Sequence, residues 1–314
     1  MSNGIIERQC ANKNLVKLAA QRQRYSDGKK LMTIQIILSI VVVGIFAVVG
    51  LIYKDSEPWI SVILPYYGFS ITILNLVFFD AKISKIKEEA STIQEDFDCN
   101  VLKITWNGFK ADWPQYEDIK GHADKIIKTN ADYGKNKLNN WYINPEEEKN
   151  NKYHFDDLPL PISRLICQRM NCWWDHSLGK GFITLIFILT VLLIVILVIY
   201  LFYSGIALSQ FCNGLLFPAL PAIVITIRYI QDHLKANKKL NRLENKANTI
   251  WKQLVSSKTL DMAIESRQLQ DEIFDSRKTR QLIPDWYYNY LRIPYETKSY
   301  YSIEQMVKEY NQGK

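Results

Sequence analysis

The chain is expected to fold as an α-helical membrane protein. Four transmembrane helices form two hairpins, with a mainly helical cytoplasmic region between the hairpins and at the C-terminus. Three observations lead there. Gly181 to Ile227 runs without one Asp, Glu, Lys, Arg or His, and Leu31–Tyr53 and Pro58–Phe79 are also free of charge. Basic residues flank these runs almost entirely on one side, with Lys54 the exception. The remaining segments carry helical periodicity and most of the charge. A bilayer core needs about 20 apolar residues per helix, so the runs supply four spans. Bulk composition decides little, since 48% hydrophobic is ordinary for a soluble chain too. The runs themselves exclude a purely soluble globule and a disordered chain. Five scattered cysteines, an odd number without framework spacing, exclude a secreted disulfide scaffold.

The spans are read as Thr33–Tyr53, Trp59–Phe79, Phe182–Tyr203 and Ala207–Tyr229. The first follows about 30 polar residues and has no small-x-small cleavage site behind it, so it reads as a span and not a signal peptide. Basic residues set the orientation. Arg22, Arg24, Lys29 and Lys30 precede span one, and Lys82, Lys85 and Lys87 follow span two. Lys180 precedes span three, and Arg228, Lys235, Lys238, Lys239 and Arg242 follow span four. The short outer loop of the first hairpin holds only Lys54, Asp55 and Glu57, and that of the second holds no charge. Both termini and the middle segment are thus placed in the cytoplasm. The resulting divisions are a basic N-terminal helix (1–32), hairpin one (33–79), a stalk and middle domain (80–181), hairpin two (182–229), and a stalk with C-terminal helices (230–314).

Span two continues below the membrane. Ile83, Ile86, Ala90, Ile93 and Phe97 are spaced 3, 4, 3 and 4, which is an a/d seam. Leu240, Leu243, Ala247, Ile250 and Leu254 repeat that spacing after span four. Each seam predicts a helical stalk, packed within the chain or against another subunit. Val101–Trp106, apolar and alternating, is a candidate strand, the one small β element. Pro114–Lys128 reads as a helix with proline near its first turn. Asn139–Lys152 reads as a polar loop, and Ile162–Asp175 as a helix. The C-terminal part is expected to be helical over Thr259–Arg280, to break at Ile283-Pro284-Asp285, and to form a last helix near Ser302–Tyr310.

No catalytic constellation stands out. His122, His154, His176 and His233 are scattered. Cys167 and Cys172 are five apart, not the spacing zinc prefers. His154 with Asp156 and Asp157 reads as a surface turn in preference to a metal site. There is no Walker A, G-x-G-x-x-G or G-x-S-x-G motif. The chain is therefore expected not to be an enzyme, and neither metal nor cofactor is expected. The middle segment is nearly neutral, so no long nucleic acid is expected as a partner.

Two cytoplasmic clusters are ligand candidates. The first holds Arg164, Arg169, Trp173 and Trp174. Arginine forks suit phosphate oxygens, and tryptophan faces suit base stacking. The competing reading makes the tryptophans an interfacial belt before span three. The second cluster holds Arg267, Arg277 and Arg280, with Asp271 and Asp275 one helical turn apart. There a structural ion-pair network competes with a binding role, because Arg267 and Asp271 are i,i+4 neighbours. Within the membrane, Pro65 and Asn75 in span two and Asn213, Pro218 and Pro221 in span four are candidate pore-lining positions. Prolines free backbone carbonyls that need neighbours or water, while helix–helix packing uses the same residue types.

Four stretches together resemble a known family. They are Leu18-Ala-Ala-Gln-Arg-Gln-Arg-Tyr-Ser-Asp-Gly-Lys29; Asp96-Phe-Asp-Cys-Asn-Val-Leu102 with Trp106-Asn107; Arg164-Leu-Ile-Cys-Gln-Arg-Met-Asn-Cys-Trp-Trp-Asp175; and Leu269-Gln-Asp-Glu-Ile-Phe-Asp-Ser-Arg277 followed by Ile283-Pro-Asp-Trp286. With the hairpin layout, they resemble the SMODS-associated four-transmembrane effectors of bacterial CBASS anti-phage systems, over essentially the whole chain. The resemblance implies a pore-forming effector of the inner membrane. Its activating ligand would be a cyclic di- or trinucleotide made by a CD-NTase, the nucleotidyltransferase of such systems. Homo-oligomers would then open the membrane in abortive infection. The resemblance assigns no ligand residue. Against it stand a scaffold reading, in which the spans only anchor stalks that recruit a partner, and a membrane-held hydrolase or nuclease.

Overall fold

The computed structural model describes residues 2–52, 58–129, 140–150, 154–205, 208–212, 216–256 and 261–312. Among these residues every regular element is helical. A short helix α1 (Ile5–Cys10) precedes α2 (Asn12–Ile36). One π-helical turn, Ile37–Val41, joins α2 to α3 (Val42–Ile52). The next rod comprises α4 (Pro58–Leu74), a second π-helical turn (Asn75–Phe79) and α5 (Asp80–Leu102). Then come α6 (Tyr116–Thr129), α7 (Pro145–Lys149), α8 (Leu160–Ser204), α9 (Leu208–Phe211), α10 (Phe217–Val255), α11 (Met262–Thr279) and α12 (Asp285–Gln312).

Length and apolar composition qualify two helical stretches among the described residues to cross a bilayer, Asn12–Phe46 and Leu160–Tyr203. The apolar runs expected to pair with them are helical as well, in α4 and at the start of α10. Side chains such as Phe69, Leu76, Phe187 and Ile199 stand exposed on these helices.

Several expectations need correction. Val101–Trp106 is not a strand. Val101 and Leu102 are the last turn of α5, which ends at Lys103 in the left-handed region, φ 54°. A short apolar run does not distinguish strand from buried helix end. The helix expected to stop at Asp175 instead runs 45 residues to Ser204. Gly179 and Gly181 do not break it. At Gly181 a Cβ would collide with the Tyr287 hydroxyl, so the glycine serves close helix packing. The last helix starts at Asp285, not near Ser302, and carries Pro294 inside it. Burial of Tyr287, Ser299, Ile303, Met306 and Val307 holds it on both sides of the proline. The helix expected over Thr259–Arg280 spans Met262–Thr279, capped by the Asp261 carboxylate on the Ala263 and Ile264 amides; Thr259 lies outside the described residues.

Both stalk seams pack within the chain. Ile83, Ile86, Ala90, Ile93 and Phe97 are buried, as are Leu240, Leu243, Ala247 and Ile250. Their core is composite. N-terminal Ile5 and Leu18 meet Phe97, Ile143, Phe155, Leu165, Ile250, Ile273 and Ile303 in one cluster. Helix α2 packs on α5 and α6, α8 on α10, and α11 on α5, α8 and α10. The N-terminus is tied in by polar contacts too. The Asn3 side-chain amide donates to the Phe155 carbonyl at 2.7 Å, and that of Gln9 donates to the Ile143 carbonyl at 2.7 Å.

Close approach of α2 to α5 depends on Gly28. A Cβ there would meet Leu282 Cδ1 at 2.9 Å and Ile86 Cγ2 at 3.2 Å. Gly28→Leu is expected to overpack this contact and cost about 1–3 kcal/mol. Thermal unfolding in detergent reads the loss; an unchanged midpoint would show that the helices part freely.

Candidate functional site

A cavity of about 360 Å³ opens where α2, α8, α10 and α12 converge, beside the ends of the apolar helices. That volume lies in the range of small-ligand sites. Arg22, Lys29, Arg277, Arg280 and Arg292 line it, against the carboxylates of Asp175 and Glu296. Tyr25, Trp141, Tyr142, Trp174, Tyr288 and Tyr300 supply aromatic faces. The cations come from distant parts of the chain. Arg22, Tyr25 and Lys29 lie at i, i+3 and i+7 on one face of α2. Arg277 and Arg280 close the end of α11, and Arg292 sits on α12.

Polar groups at this cavity are under-satisfied. Trp141 Nε1, Asn171 Nδ2, His233 Nε2, Asn237 Oδ1, Arg277 Nε and Ser299 Oγ are buried and find no hydrogen-bond partner among the described residues. All six residues line the cavity. Buried polar groups in native proteins are nearly always paired. Their clustering around one polar cavity suits a site that receives water or a polar ligand.

Ion pairs divide into two kinds. Arg277 and Asp98 are 1% and 0% exposed and 2.5 Å apart. Burial lowers the guanidinium pKa, but Asp98 and Asp175 outweigh it, and Arg277 stays firmly charged. Arg280 pairs with Asp175 and bonds Tyr25. Nearer solvent, Lys29 Nζ and Arg22 Nη2 both reach Asp285 Oδ1, at 2.7 and 3.2 Å. Burial pulls the Lys29 ammonium pKa down, against the pull of Asp285. Burial would raise the Asp285 carboxyl; Lys29 and Arg22 outweigh that and hold it below the usual range. Arg22 stands 5.1 Å over the Tyr288 ring and Lys29 stands 6.0 Å from its centroid. His233, against the rings of Phe182 and Tyr229, has its pKa pushed down to about 4 by burial, opposed by Asp232 and reinforced by Lys87.

The structure brings Trp174, Arg277 and Arg280 of the seven ligand candidates to this cavity and leaves the other four outside its lining. Arg164 donates to the Leu102 and Lys103 carbonyls at 2.8 Å each, closing the C-terminus of α5. Arg169 bonds Asn248 Oδ1 at 2.6 Å and Ser302 Oγ at 2.9 Å. Arg267 pairs with Asp271 at 2.8 Å, as its i,i+4 spacing suggested, and with Glu95 at 2.7 Å. Trp173 packs on Tyr295. Arg22, Lys29 and Arg292 were not among the sequence candidates. Arg22 and Lys29 entered the sequence reading only as orientation-setting charge and within the Leu18–Lys29 stretch, and Arg292 carried no signal.

Of the pore-lining candidates, Asn75 is buried. Its Nδ2 donates to Ser39 Oγ at 2.8 Å, joining the two π-helical turns. Pro65 is inside α4 and exposed. Pro218 and Pro221 fall within the first turns of α10, and Asn213 lies outside the described residues. His154 and Asp157 approach to 3.6 Å on an exposed turn. Among the described residues no group of three or more His, Cys, Asp or Glu is placed to hold a metal.

Residues 3–306 match the profile of the SMODS-associating 4TM effector domain. The chain is also 26% identical, over 293 residues, to a probable CBASS effector molecule of Bacillus cereus (strain VD146). That alignment covers 90% of this chain and 92% of the relative. No solved structure matches the chain significantly. A helical chain matched almost end to end by one domain profile belongs to that family: this protein is a member of the SMODS-associating four-transmembrane effector family.

Proposed function

We propose that this CBASS effector-family member is a non-enzymatic membrane effector opened by a cyclic oligonucleotide. The four apolar runs span the bacterial inner membrane as two hairpins, with both termini in the cytoplasm. The cytoplasmic helices receive a cyclic di- or trinucleotide, and homo-oligomers then open the membrane to arrest the infected cell. The observation that carries this reading is the cavity. It sets guanidinium groups beside tyrosine and tryptophan rings and adds under-satisfied polar atoms. Guanidinium forks suit phosphodiesters, and aromatic rings suit stacked bases. The cavity is also walled by α2 and α8, which run on into apolar helix, and by α10, which emerges from one. A ligand bound there touches the ends of three such helices.

A ligand opens such a system only through tighter binding to the open state. Moving the closed-to-open ratio from 1:99 to 99:1 takes about 5.5 kcal/mol of differential affinity. Several ligands per oligomer divide that requirement. In liposomes containing the purified protein, one member of a panel of cyclic di- and trinucleotides is expected to release trapped dye. Binding without release would instead favour an anchored scaffold, and ligand turnover would favour an enzyme.

A further inference from the structure

We propose that Arg22 and Lys29 form the phosphate seat of this cavity, and that Asp285 fills the seat as an internal competitor until an anionic ligand displaces it. Two cations converge on a single carboxylate oxygen, Lys29 at 2.7 Å and Arg22 at 3.2 Å. One carboxylate neutralises only one of them. The unmatched positive charge lies at the face of Tyr288, within cation–π range for both groups. A phosphodiester carries the same charge as the carboxylate and offers two free oxygens to the same donors. A cyclic dinucleotide carries two phosphodiesters and so exceeds what Asp285 supplies.

The seat is the exchangeable pair of the cavity. Asp285 is 38% exposed, so its partners can be traded through solvent. Arg277 and Asp98, at 1% and 0%, are sealed and structural. Arg292 has a local partner, Glu296, one turn along its own helix. Independent support comes from buried His233 and Ser299, 4% and 8% exposed, which line the same cavity with unpartnered polar atoms. These suit a ligand extending from the seat into the interior.

Displacement has a mechanical consequence. Asp285 is the first residue of α12, and Arg22 and Lys29 lie on α2, which continues without interruption through Ile37–Val41 into α3. The Asp285 contact therefore ties the C-terminal helix to the helix that leads into span one. An anion in the seat frees that tie while holding α2 itself. The ligand competes with a restraint, so binding and release are one event.

The mechanical part rests on the ligand-gated reading above; the seat does not. The test uses the full chain in lipid nanodiscs, with calorimetric titration of a panel of cyclic di- and trinucleotides and, separately, of pyrophosphate. Arg22→Ala and Lys29→Ala are each expected to weaken binding tenfold or more. Asp285→Asn is expected to tighten it about tenfold, and Lys308→Ala, outside the cavity, to leave it unchanged. Arg22→Lys and Lys29→Arg retain the charge and should retain binding, which separates loss of the seat from loss of fold. In liposomes, Asp285→Asn is expected to leak dye without ligand. Pyrophosphate following this pattern while no cyclic nucleotide binds would keep the seat and overturn the ligand-gated reading. A cyclic nucleotide that opens liposomes with an affinity indifferent to Arg22, Lys29 and Asp285 would overturn the seat and keep that reading. Failure of every probe, pyrophosphate included, to bind Asp285→Asn would overturn the seat outright.

Discussion

Arg277→Met is expected to destabilise the protein by about 3–5 kcal/mol, the usual cost of leaving a buried charge without its partner. Asp98 is fully buried and receives Arg277 at 2.5 Å, Gln270 Nε2 at 3.1 Å and the Tyr142 hydroxyl at 2.5 Å. Removing the guanidinium leaves two neutral donors for a carboxylate that water cannot reach. The same network holds Glu95, bonded by Arg267 and Gln270 at 2.7 Å each, so two neighbouring carboxylates on α5 depend on α11. Burial and the Asp98 charge already push the Glu95 pKa up. The double variant Asp98→Asn/Arg277→Met removes both charges and is expected to recover a large part of the loss. Chemical unfolding in detergent micelles measures both. Additive losses in the double variant would mean that the pair is not coupled and that each residue acts through its shape alone.

Acidification is expected to destabilise the fold through His233. Its pKa in the folded protein lies near 4, against 6.5 for the free side chain. Above pH 6.5 the imidazole is neutral in both states and folding is independent of its proton. Between 6.5 and 4 the unfolded chain binds a proton that the folded chain refuses, so stability falls with pH. The full loss, complete near pH 4, is about 3 kcal/mol. Burial is the main cause, with Lys87 reinforcing it and Asp232 opposing. His233→Asn cannot titrate, so its stability curve should be flatter than wild type over this window. Parallel curves for the two proteins would show that His233 is accessible to solvent protons when folded.

The stalks were legible because a 3,4 apolar rhythm encodes one helix face, and both seams are buried where that rhythm put them, with only Leu254 half-buried. The Arg267–Asp271 pair was legible for the same reason, since i,i+4 is a local geometry. Helix ends were read less well. Gly179, Gly181 and Pro294 signal breaks locally, yet packing against Asn237, Tyr287 and the core carries α8 and α12 through them. Candidate ligand residues divided by context. Arg164 and Arg277 have the same chemistry in sequence, but one closes a helix end and the other neutralises a buried aspartate.

Charge-free runs, the placement of basic residues and helical periodicity are one-dimensional quantities, and the sequence alone carries them: helical class, expected spans, expected orientation and family. The cavity is of another kind. Lys29 and Asp285 are 256 residues apart, and Asp98 and Arg277 are 179 apart. No local pattern selects such partners. They meet because one core is shared by the N-terminal, middle and C-terminal segments, and burying its apolar seams brings α2, α8, α10 and α12 around the same polar space. Tertiary packing thus decided which of many arginines became sealed and which stayed near solvent, because desolvation depends on the position of a charge in the fold and not on its position in the chain.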